Sequence, residues 1–125
     1  IINCDLVTKV NYNDIIKYHN KKKSLATICV RNYDFQLPYG VIETKNDIVK
    51  KITEKPINKF FVNAGIYVLS PKLIKKIKKN IKIDMTTFLS NLLDEKIKIN
   101  VYPIYEYWVD VGRIQNLNKV KNDIL

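Results

Sequence analysis

The chain has 125 residues, of which 46% are hydrophobic and 27% are charged, and a formal net charge of +10. This length suits one domain with one hydrophobic core, and the composition excludes a chain that is mainly disordered. No apolar run approaches the ~20 residues of a membrane-spanning helix, so we expect no membrane partner. The chain opens on the strand-like Ile1 and Ile2, without an initiating methionine or a signal peptide. We therefore expect a cytoplasmic fragment of a longer protein.

The apolar pattern predicts, in chain order, alternating strands and helices, then a β-rich middle, then a helical end. Strands are predicted over 1–4, 24–30, 40–44, 48–53, 60–69, 98–104 and 107–111, with an interruption at 63–65. Helices are predicted over 12–22, 70–79, 84–96 and 113–125, with Asn11 or Asn13, Ser70 and Asp84 as N-caps. Residues 31–38 are predicted as a loop and 45–47 as a hairpin turn. This order favours one α/β domain over residues 1–125, with a mixed, mostly parallel sheet flanked by helices.

Apolar faces support three of the helices. The 70–79 helix places Leu73, Ile74 and Ile77 inward. The 12–22 helix places Ile15, Ile16 and His19 on one side, and we expect this only histidine to have a structural or surface role and not a catalytic one. The 84–96 helix has an apolar face that consists of Met85, Phe88, Leu89, Leu92 and Leu93.

The two cysteines, Cys4 and Cys29, lack metal-ligand spacing and lie in strand-like apolar stretches. We predict buried free thiols in a reducing cytoplasm, with a disulfide or a reactive thiol as the alternative.

The positive charge comes almost entirely from lysine, with only Arg31 and Arg113 as arginines. A nucleic-acid module would need lysines clustered with exposed aromatic side chains on one face. Here the lysines are spread through helices and loops, and most aromatics fall in strand-like segments. We therefore expect a solvated lysine surface and no nucleic-acid partner.

Glycine is scarce, which makes its positions informative. A chain of this length would carry roughly nine glycines at ~7% usage, whereas this one has Gly40, Gly65 and Gly112. A chain that avoids glycine keeps it where positive φ or close backbone approach to a ligand is needed. Turns would explain one or two of the three.

Two aspartates are placed at predicted strand ends. Asp5 follows the apolar Ile1 and Ile2, and Asp110 follows Trp108 and Val109. Ligands of open α/β sheets bind beyond the carboxyl ends of strands, where two aspartates could share a Mg²⁺ that bridges to phosphate oxygens. Taken singly, each aspartate is explained at least as well by a structural role as by metal binding. Asp5 would begin a turn, and Asp110 would cap the last helix.

Glu54, Lys55 and Pro56 end the predicted 48–53 strand. A glutamate accepts hydrogen bonds from sugar hydroxyls, and a lysine holds phosphate as a point charge. Pro56 prevents further strand pairing. The alternative for this tripeptide is an ordinary surface Glu–Lys pair.

Taken in order, these segments resemble the sugar-1-phosphate nucleotidyltransferase family, which includes glucose-1-phosphate thymidylyl- and uridylyltransferases and mannose-1-phosphate guanylyltransferases. Some bacterial members make sugar nucleotides for surface glycans, and some carry CBS domains. The matching segments are Asn3-Cys4-Asp5-Leu6, Pro38-Tyr39-Gly40-Val41, Ile52-Thr53-Glu54-Lys55-Pro56, Phe61-Val62-Asn63-Ala64-Gly65-Ile66-Tyr67 and Tyr107-Trp108-Val109-Asp110-Val111-Gly112-Arg113. The resemblance implies the C-terminal, sugar-binding half of a Rossmann-like fold whose substrates are a sugar-1-phosphate and a nucleoside triphosphate.

The resemblance also implies roles for individual residues. Asp5 and Asp110 would hold Mg²⁺ and, with Lys55, form the catalytic set. The residues implied in binding the sugar phosphate are Tyr39, Gly40, Glu54, Lys55, Asn63 and Gly65. Trp108 would pack beside Asp110.

Two departures from the family pattern bear on activity. Cys4 stands where the family usually has glycine, which puts tight backbone geometry beside Asp5 in doubt. The family's N-terminal Gly-rich loop, which cradles the triphosphate, is missing from these 125 residues, as is its base-recognition segment. We therefore expect this chain by itself to be inactive.

The alternative is a non-catalytic regulatory or assembly subunit with the same fold. The sugar, the base and homo-oligomer formation are left open by the sequence.

Overall fold

The structure, a computed structural model, describes residues 1–112 and 114–124. It contains two compact units, which we describe separately: unit 1 is Ile1–Val30 with Asn63–Leu125, and unit 2 is Arg31–Val62. A single domain over residues 1–125 stays a prediction. Arg113 of the last matching segment, and both ends of the helix predicted over 113–125, lie outside the described residues.

Seven strands and four helices make up the described part of the chain. The strands are β1 (Leu6–Thr8), β2 (Ala26–Gln36), β3 (Val41–Lys45), β4 (Ile48–Thr53), β5 (Ile57–Leu69), β6 (Ile99–Pro103) and β7 (Trp108–Asp110). The helices are α1 (Tyr12–Lys21), α2 (Pro71–Ile74), α3 (Met85–Asp94) and α4 (Ile114–Ile124).

The core of unit 1 is a three-stranded sheet in the order β5–β2–β6, in which β2 runs parallel to β6 with Ala26 opposite Ile99. Ala26 and Ile28 belong to the hydrophobic cluster that contains Leu92 of α3, whereas Cys29 belongs to the cluster that contains Ile15 of α1. Because successive strand residues point to opposite faces, α1 and α3 cover opposite sides of this sheet. The expected α/β architecture with a sheet flanked by helices is confirmed.

Strand directions are mixed, as expected. The parallel pairing occurs at β2–β6, whereas β1–β7 and β3–β4 form two antiparallel ladders of their own. No helix of the described part of the chain is long and apolar enough to cross a bilayer.

The start of the chain is more exposed than predicted. Residues 1–4 are exposed and form only an isolated bridge, Ile2 with Ile66, so a buried strand over 1–4 is wrong. The regular strand is β1, which follows Asp5 and was not predicted. Cys29 is buried as expected, but Cys4 is exposed, which corrects the prediction that both thiols are buried.

Helix α1 matches its prediction closely. Asn11 is its N-cap, and the Asn11 side chain accepts a hydrogen bond from the backbone N–H of Asn13 at 3.0 Å. Ile15 and His19 are buried on its inner face, while Ile16 is 46% exposed.

Helix α2 is shorter than predicted: it ends at Ile74, not near residue 79. One buried anchor, Leu73, holds it to the core. The density of lysine explains the early end. Lys72 within the helix and Lys75, Lys76 and Lys79 after it would repel one another at helical spacings of three and four residues.

Helix α3 follows Asp84 as predicted, although the Asp84 side chain makes no capping hydrogen bond. Its buried side chains are Phe88, Leu89 and Leu92, while Leu93 is 57% exposed and faces away from the core.

Unit 2 contains the predicted hairpin. β3 and β4 are joined at Asn46 and Asp47, whose φ angles are 50° and 59°. Two central residues with positive φ are the geometry of a type I′ turn, which matches the twist of the flanking strands.

Two strands are longer than the sequence indicated. β2 continues to Gln36 through the stretch predicted as a loop, where Tyr33 and Phe35 alternate with polar residues. That alternation is a strand pattern. β5 is continuous through 63–65, and the predicted interruption is seen as a single residue, Gly65, with a φ of 71°.

We expect acid to destabilise unit 1 through His19. Its side chain is 7% exposed, its Nδ1 lies 2.8 Å from Thr27 Oγ1, and burial lowers its pKa below the ordinary 6.5. As the pH falls, His19 is therefore protonated in the unfolded chain before it is protonated in the folded one. The free energy of unfolding that is present above pH 6.5 decreases between pH 6.5 and the lower pKa of the folded state. His19→Asn should give a shallower pH dependence in urea unfolding between about pH 5 and pH 8. Equal pH slopes for both proteins would contradict this.

Candidate functional site

The two aspartates singled out in the sequence are neighbours at one end of the β1–β7 ladder. Leu6 lies opposite Asp110 in the register, and the backbone N–H of Val111 donates to the carbonyl oxygen of Asp5 at 2.8 Å. Both aspartates are half-buried. The antiparallel pairing therefore brings together two carboxylates from opposite ends of the chain.

Gly112 makes room for this pair. A Cβ added at Gly112 would lie 3.0 Å from Asp110 Oδ1 and 3.0 Å from Asp5 Oδ2. The backbone N–H of Gly112 also donates to Asp110 Oδ1 at 2.8 Å, which fixes the orientation of that carboxylate. The two carboxylates thus converge on the same point, and a side chain at residue 112 would have to push at least one of them away. We call Asp5 and Asp110 the acidic pair.

The acidic pair fits a hard divalent cation. Mg²⁺ is held by one or two protein carboxylates while water and substrate phosphate oxygens fill the remaining octahedral positions. Within residues 1–112 and 114–124 there is no group of three or more His, Cys, Asp or Glu placed to hold a metal. The pair is therefore suited to a cation shared with a phosphate ligand and not to a closed protein cage.

Asn116 supports the acidic pair and was not foreseen. Its Nδ2 donates to the carbonyl oxygen of Asp110 at 2.7 Å and so fastens the first turn of α4 to the end of β7. Nothing in the local sequence marks this asparagine, because the contact depends on where α4 packs.

Gly65 needs to be glycine for two structural reasons. Its φ is 71°, a region that side chains disfavour, and an added Cβ would lie 2.8 Å from Asn3 Nδ2. Gly65 is buried, and its carbonyl accepts from the backbone N–H of Asn3 at 2.9 Å. This contact ties β5 to the segment that leads into Asp5. The role of Gly65 in sugar binding stays a prediction.

Asn63 holds the same turn of the backbone. Its Oδ1 accepts from the N–H of Gly65 at 2.8 Å, and its Nδ2 donates to the Tyr67 hydroxyl at 2.7 Å. Since an amide oxygen has two lone pairs and an amide nitrogen two hydrogens, Asn63 keeps one acceptor and one donor position for a ligand.

Trp108 is fastened to β5. Its Nε1 donates to the carbonyl oxygen of Ala64 at 2.8 Å, and its ring packs against the cluster around Ile15. Trp108 and Asp110 are two residues apart on β7 and so lie on the same face of that strand.

Cys4 does not strain the backbone beside Asp5. It is not among the described residues with positive φ, so the cysteine side chain is accommodated in an ordinary conformation.

In unit 2, the residues expected to bind sugar phosphate meet at the open end of the β3–β4 hairpin. Glu54 Oε2 would lie 3.0 Å from a Cβ at Gly40, so the Glu54 carboxylate sits against the bare backbone there. Tyr39, beside it, is 75% exposed. Glu54 and Lys55 are also exposed. We call Tyr39, Gly40, Glu54 and Lys55 the hairpin-base cluster.

Lys55 is held in an unusual conformation. Its φ is 41°, which costs a non-glycine residue on the order of 1 kcal/mol. Its carbonyl accepts from Gln36 Nε2 at 3.2 Å, and the next carbonyl, of Pro56, accepts from the N–H of Leu37 at 3.1 Å. Two hydrogen bonds thus fix the backbone of the turn while the ammonium group remains in solvent.

Comparison with known proteins identifies the family to which the chain belongs. The nucleotidyl transferase family model matches residues 1–125. The chain belongs to the nucleotidyl transferase family. Glucose-1-phosphate adenylyltransferase of Clostridium kluyveri is 31% identical over 100% of the chain and 36% of its own length. A rice protein (Oryza sativa subsp. japonica) named "Probable mannose-1-phosphate guanylyltransferase 3" is 34% identical over 90% of the chain and 32% of its own length.

A solved structure has the same fold. The crystal structure of HddC from Yersinia pseudotuberculosis superposes with a TM-score of 0.66 over 99% of the chain and 54% of HddC, at 23% identity. At this identity the likeness concerns the fold. The chain spans about a third of the length of the curated relatives, so the activity of the whole protein is a matter for proposal.

Proposed function

We propose that this chain is the C-terminal, sugar-phosphate-binding part of a sugar-1-phosphate nucleotidyltransferase. The complete enzyme would convert a nucleoside triphosphate and a sugar-1-phosphate into a nucleoside diphosphate sugar and pyrophosphate. The observation that carries the proposal is the convergence of the Asp5 and Asp110 carboxylates at Gly112, in a chain that matches the family model from end to end.

In the proposed reaction the phosphate oxygen of the sugar-1-phosphate attacks the α-phosphorus of the nucleotide in line, and pyrophosphate leaves. The protein needs no side-chain nucleophile for this, because positioning and charge neutralisation supply most of the rate. Asp5 and Asp110 would hold Mg²⁺, which neutralises phosphate charge and orients the phosphate oxygens when bound. The absence of a side chain at Gly112 would leave room for both carboxylates to hold the cation.

The hairpin-base cluster is assigned to the sugar-1-phosphate. The Lys55 ammonium is a mobile point charge suited to phosphate, and the Glu54 carboxylate is an acceptor for sugar hydroxyls. Gly40 leaves room beside Glu54, and Tyr39 offers an exposed ring for the sugar to lie against. In unit 1, Asn63 and Gly65 are assigned a role in binding the sugar.

The finer parts of the proposal follow the family resemblance described in the sequence analysis. We propose Mg²⁺ as the cation, a cytoplasmic location and a role in supplying sugar nucleotides for surface glycans. The relatives' names include glucose-1-phosphate with adenylyl transfer and mannose-1-phosphate with guanylyl transfer, so the sugar and the base need direct measurement. The test is pyrophosphate release by the complete protein with Mg²⁺, over a panel of nucleoside triphosphates and sugar-1-phosphates. Activity with one pair is expected, and no release with any pair would refute the proposal.

We expect the 125-residue chain by itself to transfer no nucleotide, because it holds no Gly-rich loop to cradle the triphosphate. Pyrophosphate release by the purified chain should equal the rate without protein, while a complete relative with that loop turns over in the same assay. Turnover by the purified chain that is lost in Asp110→Asn would contradict this expectation.

A regulatory or assembly subunit with the same fold is the second candidate. Such a subunit would release no pyrophosphate in complete form, yet would change the turnover of an active partner. Against it stands the acidic pair, since two half-buried carboxylates held together repel each other without a cation between them.

A further inference from the structure

A basic groove lies at the amino ends of β2 and β6 in unit 1. Lys22 and Lys23 precede β2, and Lys96 and Lys98 precede β6. Because β2 and β6 are parallel, with Ala26 opposite Ile99, residues that precede the two strands meet at the same edge of the sheet. The groove has a volume of about 490 Å³, and the four lysines line it together with Tyr18 and Asn100.

The positive charge of the basic groove is not neutralised by its own lining. None of its lining residues is an aspartate or glutamate, and the ion pairs found among the described residues involve Lys17, Lys51 and Lys76 instead. The nearby Glu95 is bonded to Lys76. Helices α1 and α3 end at this edge, and each contributes about half a negative charge. Four ammonium groups therefore leave a clear positive excess.

Defined contacts and turns hold the base of the basic groove, while the ends of its lysine side chains are exposed. The Tyr18 hydroxyl donates to the carbonyl of Val101 at 2.9 Å, and its ring meets Tyr102 edge to face at 5.2 Å. Lys22 Nζ then lies 5.7 Å from the centroid of the Tyr18 ring, a cation–π distance. Lys23 and Lys96 have φ angles of 49° and 61°, so turns of fixed shape present them.

We propose that the basic groove binds a small anion with two or more phosphate groups, at a site separate from the acidic pair. Lysine holds phosphate as a point charge, and several lysines around one concave site suit an anion that carries several charges in a small volume. A volume of about 490 Å³ falls in the range of small-molecule sites. The sources that share this chemistry are free pyrophosphate and a nucleoside diphosphate.

A small ligand fits the groove better than a nucleic acid does. Binding a single strand would need a track of aromatic rings on which bases stack. The one aromatic side chain in the lining, Tyr18, already has Lys22 over its ring. The charges also come from two short turns and do not run along an extended face.

The test is titration of the protein with pyrophosphate and, separately, with ADP, in buffer with EDTA. Without a divalent cation the acidic pair repels phosphate, so failure of the proposed function and failure of this inference remain distinguishable. Calorimetry gives the affinity, and amide shifts in NMR spectra locate the site. The variant is Lys22→Gln with Lys98→Gln, which spares the two lysines with positive φ. The matched control is Lys75→Gln with Lys78→Gln, which removes the same charge from another exposed lysine-rich segment of unit 1.

We expect shifts at Lys22–Ser24 and Lys96–Asn100, and affinity about tenfold weaker in the groove variant, since two of four charges are gone. The control should bind within about twofold of the unsubstituted protein. Equal losses in both variants, or shifts spread over the lysines of 72–79, would overturn the inference in favour of general charge attraction. No binding to the unsubstituted protein, or tighter binding of single-stranded RNA that the groove variant abolishes, would also overturn it. Thermal melts show whether both variants are folded. If the groove variant is unfolded, the amide shifts of the unsubstituted protein alone decide whether the anion binds in the basic groove.

Discussion

Asp110→Asn in the complete protein should lower turnover by about 10²–10³-fold while the fold survives. Asparagine keeps the oxygen that accepts from the N–H of Gly112, and the Asp110 carbonyl still accepts from Asn116, so the local hydrogen bonds persist. What is lost is one negative charge beside Asp5. In the proposed mechanism that charge holds the cation that neutralises phosphate, and loss of one such electrostatic contact costs rates of this size.

The measurement is turnover against Mg²⁺ concentration, with Asp94→Asn as the control. Asp94 is an exposed carboxylate at the end of α3 and is in no ion pair found among the described residues. The control should behave like the unsubstituted enzyme, whereas Asp110→Asn should need more Mg²⁺ and reach a lower maximum. Asp5→Asn should give a loss of the same order, and the double variant should be little worse than either, because the two act as one unit. Near-normal turnover of Asp110→Asn at limiting Mg²⁺ would show that Asp110 only terminates β7 and anchors α4.

Local patterns in the sequence were sufficient where short-range chemistry decides the structure. Helix α1 follows from the capping side chain of Asn11 and the inward Ile15, and the hairpin follows from Asn46 and Asp47, which tolerate positive φ. In these elements the residues that fix the conformation lie next to one another in the chain.

The predictions from sequence were wrong where the structure depends on contacts between residues that are distant in the chain. Residues 1–4 look like a buried strand because of Ile1 and Ile2, yet they are exposed. Their contacts with β5 are the isolated bridge to Ile66 and backbone hydrogen bonds to Gly65 and Tyr67. The extension of β2 to Gln36 was not predicted, because its polar residues are typical of a loop. Their alternation with Tyr33 and Phe35 is the strand pattern. For α2, the apolar periodicity favours a helix to about residue 79, whereas repulsion among its closely spaced lysines favours the earlier end at Ile74.

In the candidate site, too, some features could be predicted from local sequence and others depend on distant contacts. The scarcity of glycine marked Gly65 and Gly112, and both have close side-chain neighbours that an added Cβ would strike. That the neighbours of Gly112 are the two aspartates depends on the register that sets Leu6 opposite Asp110, which no local pattern encodes. The supporting role of Asn116 depends on the packing of α4 and was equally hidden.

Lys55→Ala in the complete protein should weaken the apparent affinity for sugar-1-phosphate by about 10- to 100-fold and leave that for the nucleotide nearly unchanged. A hydrogen bond to a charged group contributes roughly 1.5–3 kcal/mol, which gives a change of this size. The positive φ at Lys55 and the two hydrogen bonds that fix its turn involve only the backbone. Alanine carries the same Cβ, so the conformation should persist and only the ammonium group is removed.

Lys59→Ala is the control, because Lys59 is another exposed lysine of unit 2, on β5, and changes the net charge equally. Initial rates with each substrate varied in turn give the two apparent affinities. If Lys55 were an ordinary surface charge, worth ~0–1 kcal/mol to stability, both variants would match the unsubstituted enzyme. A fall in nucleotide affinity with sugar-1-phosphate affinity intact would contradict both views, because it would assign the hairpin-base cluster to the triphosphate.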